Sequence, residues 1–211
     1  MTGPMTGAVL RRRDDGALEL RVNGVFVMDD VETSSERALA RAVLDLGARD
    51  ILVGGLGLGF TLRELLAEPT VSRVVVAELE SQIVGWMRGG TIPGVDLLDD
   101  PRVAMVVDDV RAVVAAQAPH SLDAIVLDVD NGPDSLVHEA NAEVYSADFI
   151  ATCVSRLRPD GSLCVWSMAS SPELTASLDA AFVRVSEQAV PVRLQSRDES
   201  YWILTGSSPR P

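Results

Sequence analysis

The residues able to do chemistry in this chain share one placement: each follows a short apolar run. Gly55, Gly57 and Gly59 alternate with leucine in ILVGGLGLGF, and Glu78 ends VVVAE, 19 positions after Gly59. Asp108 and Asp109 close VAMVVDD, Asp128 closes LDAIVLD, and Trp166 and Ser167 close LCVWS. Glycines there let a ligand approach the backbone with no Cβ in the way. A carboxylate about 20 residues beyond such a loop accepts both hydroxyls of a ribose. An acid on the third run suits the exocyclic amine of adenine. The dinucleotide pattern G-x-G-x-x-G fails because Phe60 holds its last position, and no G-K-[ST] follows to grip a phosphate. Glycine, acid and acid without a phosphate grip point to an adenosine ligand, with S-adenosylmethionine the obvious one. Asp128 would then stand beside the carbons on the sulfonium. Burial raises a carboxyl pKa there and a nearby cation lowers it. Such a group takes a proton from an attacking amine, or simply holds that amine. Asp130 is expected to point the other way and cap the next turn, while Asn131-Gly132-Pro133 is turn chemistry.

Each of these residues also has an ordinary structural reading. A glycine-rich turn packs a helix closely, an acid after a strand favours a helix start, and Glu80 fits that reading better than Glu78. Tyr145 covers the site or simply packs. His138 lies near Asp128 and Trp86 follows Glu78 on a helix, each equally at home with no ligand role.

Elements of alternating type must position these residues. Strands are expected at ILVGG, SRVVVAE, VAMVV, LDAIVLD and SLCVWSM, separated by amphipathic helices, with two more strands around VRVSEQ and YWILTG. Val-, Ile- and Leu-rich strands alternating with helices indicate an α/β sandwich whose mostly parallel sheet is buried on both faces. Ligands in such sheets bind beyond the carboxyl ends of the strands, where their order reverses. Ahead of this, ALELRV and VFVMDD flank Asn23-Gly24 as a hairpin, and Thr33 or Ser34 caps a helix that Gly47 closes. The expected organisation is a disordered tail over 1–15, a hairpin plus helix over 16–48, and the ligand-binding α/β domain over 49–211.

Composition narrows the partners. The net charge of −13 repels nucleic acid, whose binding draws on Lys and Arg neutralising phosphates. A small or cationic substrate is compatible with it. No apolar run approaches a membrane span, and the start carries no signal-peptide core. Cys153 and Cys164 read as reduced core residues, which fits a cytoplasmic protein. Two histidines and two separated cysteines give no metal-binding spacing, so no metal is expected.

From Gly16 to Met168 the sequence resembles the spermidine synthase family, aminopropyltransferases with the class I methyltransferase (Rossmann-like) fold. The most specific stretch is GLGLGFTLRELLAEPTVSRVVVAELE, and the likeness continues in PRVAMVVDD, LDAIVLDVD and LRPDG. The hairpin looks like the last part of the family's N-terminal β-domain. The resemblance implies that Glu78 holds the ribose hydroxyls, that Asp109 lies at the adenine, and that Asp128 is the catalytic aspartate. It makes S-adenosylmethionine or its decarboxylated form the donor. A homodimer is compatible with it, although the family's dimers lean partly on the β-domain shortened here.

The departures bear on the substrate. A family aspartate that contacts the amine of the aminopropyl tail is Leu58 here, and a second loop aspartate is Asn131. A tyrosine and a Gln-or-His on the preceding helix become Glu36 and Arg37, and a glutamine after the fifth strand becomes Trp166. Nucleoside positions are kept while amine positions are replaced. Losing the Leu58 carboxylate also removes a charge that would repel an α-carboxylate. The expectation is therefore methyl or aminocarboxypropyl transfer from intact S-adenosylmethionine to a small amine. A true polyamine aminopropyltransferase, ring closure of the donor by its own amine, and a non-catalytic nucleoside-binding module are the alternatives.

Overall fold

The computed structural model describes residues 7–133, 135–194 and 197–210. Three strands, β1 (Ala8–Arg12), β2 (Leu18–Val22) and β3 (Val25–Asp29), form a small antiparallel sheet in that order. Helix α1 (Ser34–Leu44) leads into β4 (Asp50–Gly54), α2 (Phe60–Ala67), β5 (Arg73–Glu78), α3 (Ser81–Arg88), α4 (Val95–Leu98) and β6 (Val103–Val107). Then follow α5 (Val110–Ala115), β7 (Leu122–Leu127), a 3-10 segment (Glu139–Tyr145), α6 (Ala147–Arg156), β8 (Leu157–Ser167), α7 (Pro172–Ala181), β9 (Phe182–Leu194) and β10 (Arg197–Pro209). The main sheet has seven strands in the order β6-β5-β4-β7-β8-β10-β9. Its first five are parallel, and β10 runs antiparallel to both β8 and β9.

Side-chain alternation explains the layers. In β4, Ile51 and Val53 enter one apolar cluster and Leu52 the other; in β5, Val74 and Val76 oppose Val75 and Ala77. A strand covered on both faces must be apolar at every position, and burying each such side chain contributes about 1.5–3 kcal/mol. One cluster takes Leu39 and Val43 of α1, Leu62 and Leu65 of α2, and Ile83 and Met87 of α3. The other takes Val113 of α5, Ile150 and Cys153 of α6, and Leu178 of α7. Cys153 and Cys164 are buried and free. Among the described residues no helix is long and apolar enough to cross a membrane.

The N-terminal region differs from its expectation. Residues 1–6 of the expected tail lie outside the described residues, but Ala8–Arg12 is a strand, because it pairs with β2 from Ala8↔Val22 to Arg12↔Leu18. The small sheet also packs on the main one: Leu18, Leu20 and Val22 join the cluster of Ile51 and Leu62. At the start of α1, Thr33 makes no side-chain capping bond. The Glu32 carboxylate instead accepts from the Ser34 N–H at 3.0 Å. The chain order on the sheet reverses between β4 and β7. Loops diverge there, and a cleft opens.

Candidate functional site

The glycine loop after β4 is built around one close approach. Gly55 has φ +94°, and a Cβ on it would overlap the Asp128 carbonyl oxygen, so the β4 and β7 loops cross there only because the residue is glycine. A Cβ on Gly57 would come within 2.6 Å of Met28 Sδ, from β3. Gly55 and Gly57 line the cleft, whose volume is about 930 Å³ counting its open mouth. Gly59 does not: it is the left-handed residue that starts α2. Leu58 is likewise absent from the lining. Its side chain is buried in the core, because the loop turns it inward. The expectation that Leu58 faces the donor tail is corrected.

Glu78 ends β5 and lines the cleft. Its Oε2 accepts from Leu56 N–H and its Oε1 from Glu80 N–H, each at 2.8 Å. Burial raises its pKa against those backbone donors. Each carboxylate oxygen keeps a second lone pair for a ligand hydroxyl. On the next strand the two acids divide. Asp109 caps α5, accepting from Arg111 N–H at 2.8 Å and from its guanidinium at 2.6 Å, and that side-chain bond lowers its pKa. Asp108 accepts only from the Asp109 N–H among the described residues. Both line the cleft, and Asp108 is the acid with an oxygen to spare, while Asp109 is paired with Arg111.

At the end of β7, Asp128 is oriented by Thr61, whose Oγ donates to Oδ2 at 2.6 Å. Burial pushes Asp128 up to about 6, against that hydrogen bond. Across the cleft sits a residue that had been given no site role. Glu36 of α1 is 7 % exposed and lines the cleft. Burial and then the Asp128 charge push it up to about 7. Of the residues at the start of this helix, Ser35 and Glu36 are buried and Arg37 is exposed. The helical face, rather than the string of residues, decides this. Adjacent charged residues such as Glu36 and Arg37 gave no sequence signal for which one turns inward.

The loop after Asp128 closes one side. Asp130 has φ +61° and lines the cleft; its carboxylate accepts from the Val137 and His138 N–H groups and from Asn141 Nδ2. It therefore organises the loop, as a cap would. Asn131 is turned from the cleft: its Nδ2 donates to the Phe26 carbonyl at 3.1 Å. Tyr145 does not line the cleft but donates its O–H to the Val129 carbonyl at 2.7 Å, bracing the same loop. Asn23, at the tip of the β2–β3 hairpin, donates to the Val137 carbonyl at 3.3 Å. His138 Nε2 lies 3.7 Å from Glu80 Oε1. Trp166 lines the cleft and packs on Tyr201 with ring centroids 4.8 Å apart.

The lining is strongly acidic. Seven acidic residues (Glu36, Glu78, Glu80, Asp108, Asp109, Asp128 and Asp130) line it, with His138 and, among the described residues, no arginine or lysine. The nearby phenol of Tyr201 is pushed up to about 12 by burial and by the charges of Glu36, Glu199, Asp29 and Glu32. Such a site receives cations and repels anions.

Known proteins give this geometry a family. The profile of the spermine/spermidine synthase domain matches residues 35–194. A polyamine aminopropyltransferase of Mycobacterium tuberculosis is 35% identical over 181 residues, 84% of this chain and 32% of that protein. Putrescine N-methyltransferase 4 of Nicotiana tabacum is 28% identical over 156 residues, 71% of this chain and 36% of that one. The chain thus spans about a third of the length of these curated relatives. A spermidine synthase solved with the transition-state analogue AdoDATO superposes with a TM-score of 0.82 at 16% identity, over 95% of this chain and 70% of that one.

Proposed function

This chain belongs to the spermine/spermidine synthase domain family, and on that premise we propose that it transfers a carbon group from a sulfonium nucleoside to the nitrogen of a small cationic amine. The observation that carries the reading is the cleft lining of seven acidic residues and, among the described residues, no arginine or lysine. Glu78 receives the ribose hydroxyls, Asp108 the adenine amine, and the bare edges of Gly55 and Gly57 admit the tail. The donor brings its own leaving group, a thioether. The protein's work is to position, to exclude water and to take a proton. Asp128, held by Thr61, takes that proton from the incoming ammonium.

Charge also bears on the donor. The expected preference for intact S-adenosylmethionine rested on Leu58 facing the tail, and Leu58 faces the core. An α-carboxylate entering this cleft would meet acids and no guanidinium. Two like charges about 4 Å apart repel by about 1 kcal/mol in bulk water and by several times that at lower effective dielectric. We therefore favour decarboxylated S-adenosylmethionine and alkylamine transfer, in keeping with the names of the bacterial relatives. Methyl transfer from the intact donor is the second reading, supported by the kinship with plant putrescine N-methyltransferases.

Asp128→Asn tests the enzymatic reading against a nucleoside-binding module without turnover. The expected result is retained binding of methylthioadenosine with amine transfer reduced at least about a hundredfold, the scale of general-base catalysis. Wild-type protein that binds the nucleoside but turns over neither donor with putrescine would support the module instead.

A further inference from the structure

Glu36 on α1 and Asp128 at the end of β7 line one cleft, near enough for the Asp128 charge to act on Glu36, and only Asp128 has a role so far. We infer that Glu36, on α1, is the second carboxylate of the acceptor site: it holds the acceptor ammonium opposite Asp128 and shares with it the proton that the amine gives up. The inference rests on the amine-transfer reading above and names the residue that selects the acceptor.

Position is the first support. Glu36 lines both the main cleft and a narrow crevice of about 260 Å³ counting its open mouth, so it stands where the two meet. Its side chain is 7 % exposed, and the one bond it accepts among the described residues is from Ser35 Oγ, at 2.7 Å. A buried carboxylate normally gathers several donors; this one has capacity left on the side of the pockets. Trp166 is the second support. Its ring lines both pockets, it is 6 % exposed, and its indole N–H has no partner among the described residues. The junction thus offers an unspent acceptor and an unspent donor, walled by the Trp166–Tyr201 pair against which methylenes and an ammonium pack well. Asn131, in the loop where a second acid was sought, spends its amide on Phe26 instead.

The titratable groups around Glu36 are Asp128 from β7, Glu32 ahead of α1, Asp29 at the end of β3 and Tyr201 on β10. Asp29 is held by Arg13 at 2.7 Å, which leaves Glu36 and Asp128 as the pair facing the main cleft. The proton balance is simple. The acceptor arrives as an ammonium and gives one proton to the carboxylate pair. Its lone pair then forms the N–C bond as the C–S bond breaks, and the bonding electrons return to sulfur as a neutral thioether. The product nitrogen keeps the positive charge.

The test uses Glu36→Gln, which keeps shape and removes charge. Methylthioadenosine-loaded protein is titrated calorimetrically with putrescine at pH 8, and transfer rates are then followed from pH 5 to 9. The expected result is a putrescine Kd at least about tenfold weaker, with the methylthioadenosine Kd unchanged within about twofold. The acid limb of the rate profile should also move to lower pH, because Glu36, which titrates near 7 and above Asp128, no longer belongs to the carboxylate pair. Putrescine affinity and acid limb both equal to wild type would overturn the inference. Wild-type protein that binds methylthioadenosine but not putrescine would also overturn it, through the acceptor class. Wild-type protein that binds no nucleoside would sink the donor reading first, so the failures are distinguishable.

Discussion

Glu36 and Asp128 are acids held where water is scarce, and folding feels this. Burial and the Asp128 charge raise Glu36 from 4.5 to about 7. The folded chain then keeps a proton that the unfolded chain releases, so stability falls as pH rises between those values. The penalty above pH 7 is on the order of 3 kcal/mol. Glu36→Gln should therefore be more resistant to urea than wild type at pH 8 and equal to it at pH 4. Equal curves at both pH values would mean that Glu36 ionises freely in water. Glu78→Gln probes the nucleoside side. Losing a charged partner of a ribose hydroxyl is worth about 1.5–3 kcal/mol, so methylthioadenosine should bind about ten- to a hundredfold more weakly by calorimetry. Glu78 and Asp128 were legible in the sequence because each ends an apolar strand on the ligand side of the sheet. Leu58 was misread, Glu36 was given no site role and the pairing of Asp109 was not foreseen, all for one reason: each depends on where a side chain points. Glycines on either side set the direction of Leu58, an Arg111 two residues on claims Asp109, and the face of α1 that meets the sheet selects Glu36.

Elements of the α/β core were read almost throughout, since β4, β5 and β7 are apolar at nearly every position and their helices are amphipathic. The strand β1 was missed because its sequence runs straight into arginines and aspartates; it exists through pairing with β2, which no local pattern records. Helix α4 has four residues, too few to show a period. The hairpin was legible from Asn23-Gly24, but its second task was not. Asn23 holds the Val137 carbonyl across 114 positions of sequence and so latches the hairpin tip to the loop after β7. Asn23→Gly suits the local φ of +52° and removes only the side chain. Amide hydrogen exchange over residues 137–141 should speed up several-fold while exchange in β2 and β3 stays slow. Unchanged exchange in the loop would show that the latch does not hold it.

At the scale of the molecule, the reversal of strand order between β4 and β7 opens the cleft, and charge sets what enters it. The net charge of −13 was plain from composition, but its concentration on one cleft without arginine was not, because residues 36 to 130 meet there only after folding. That concentration makes donor choice the central question. The direct measurement is calorimetric titration of the wild-type protein with decarboxylated and with intact S-adenosylmethionine, at low and at high salt. The decarboxylated donor should bind at least about tenfold more tightly at low salt, with the gap narrowing as salt screens the acids. Tighter binding of the intact donor would contradict the reading of the cleft as a cation-only site and would return the chain to methyl transfer.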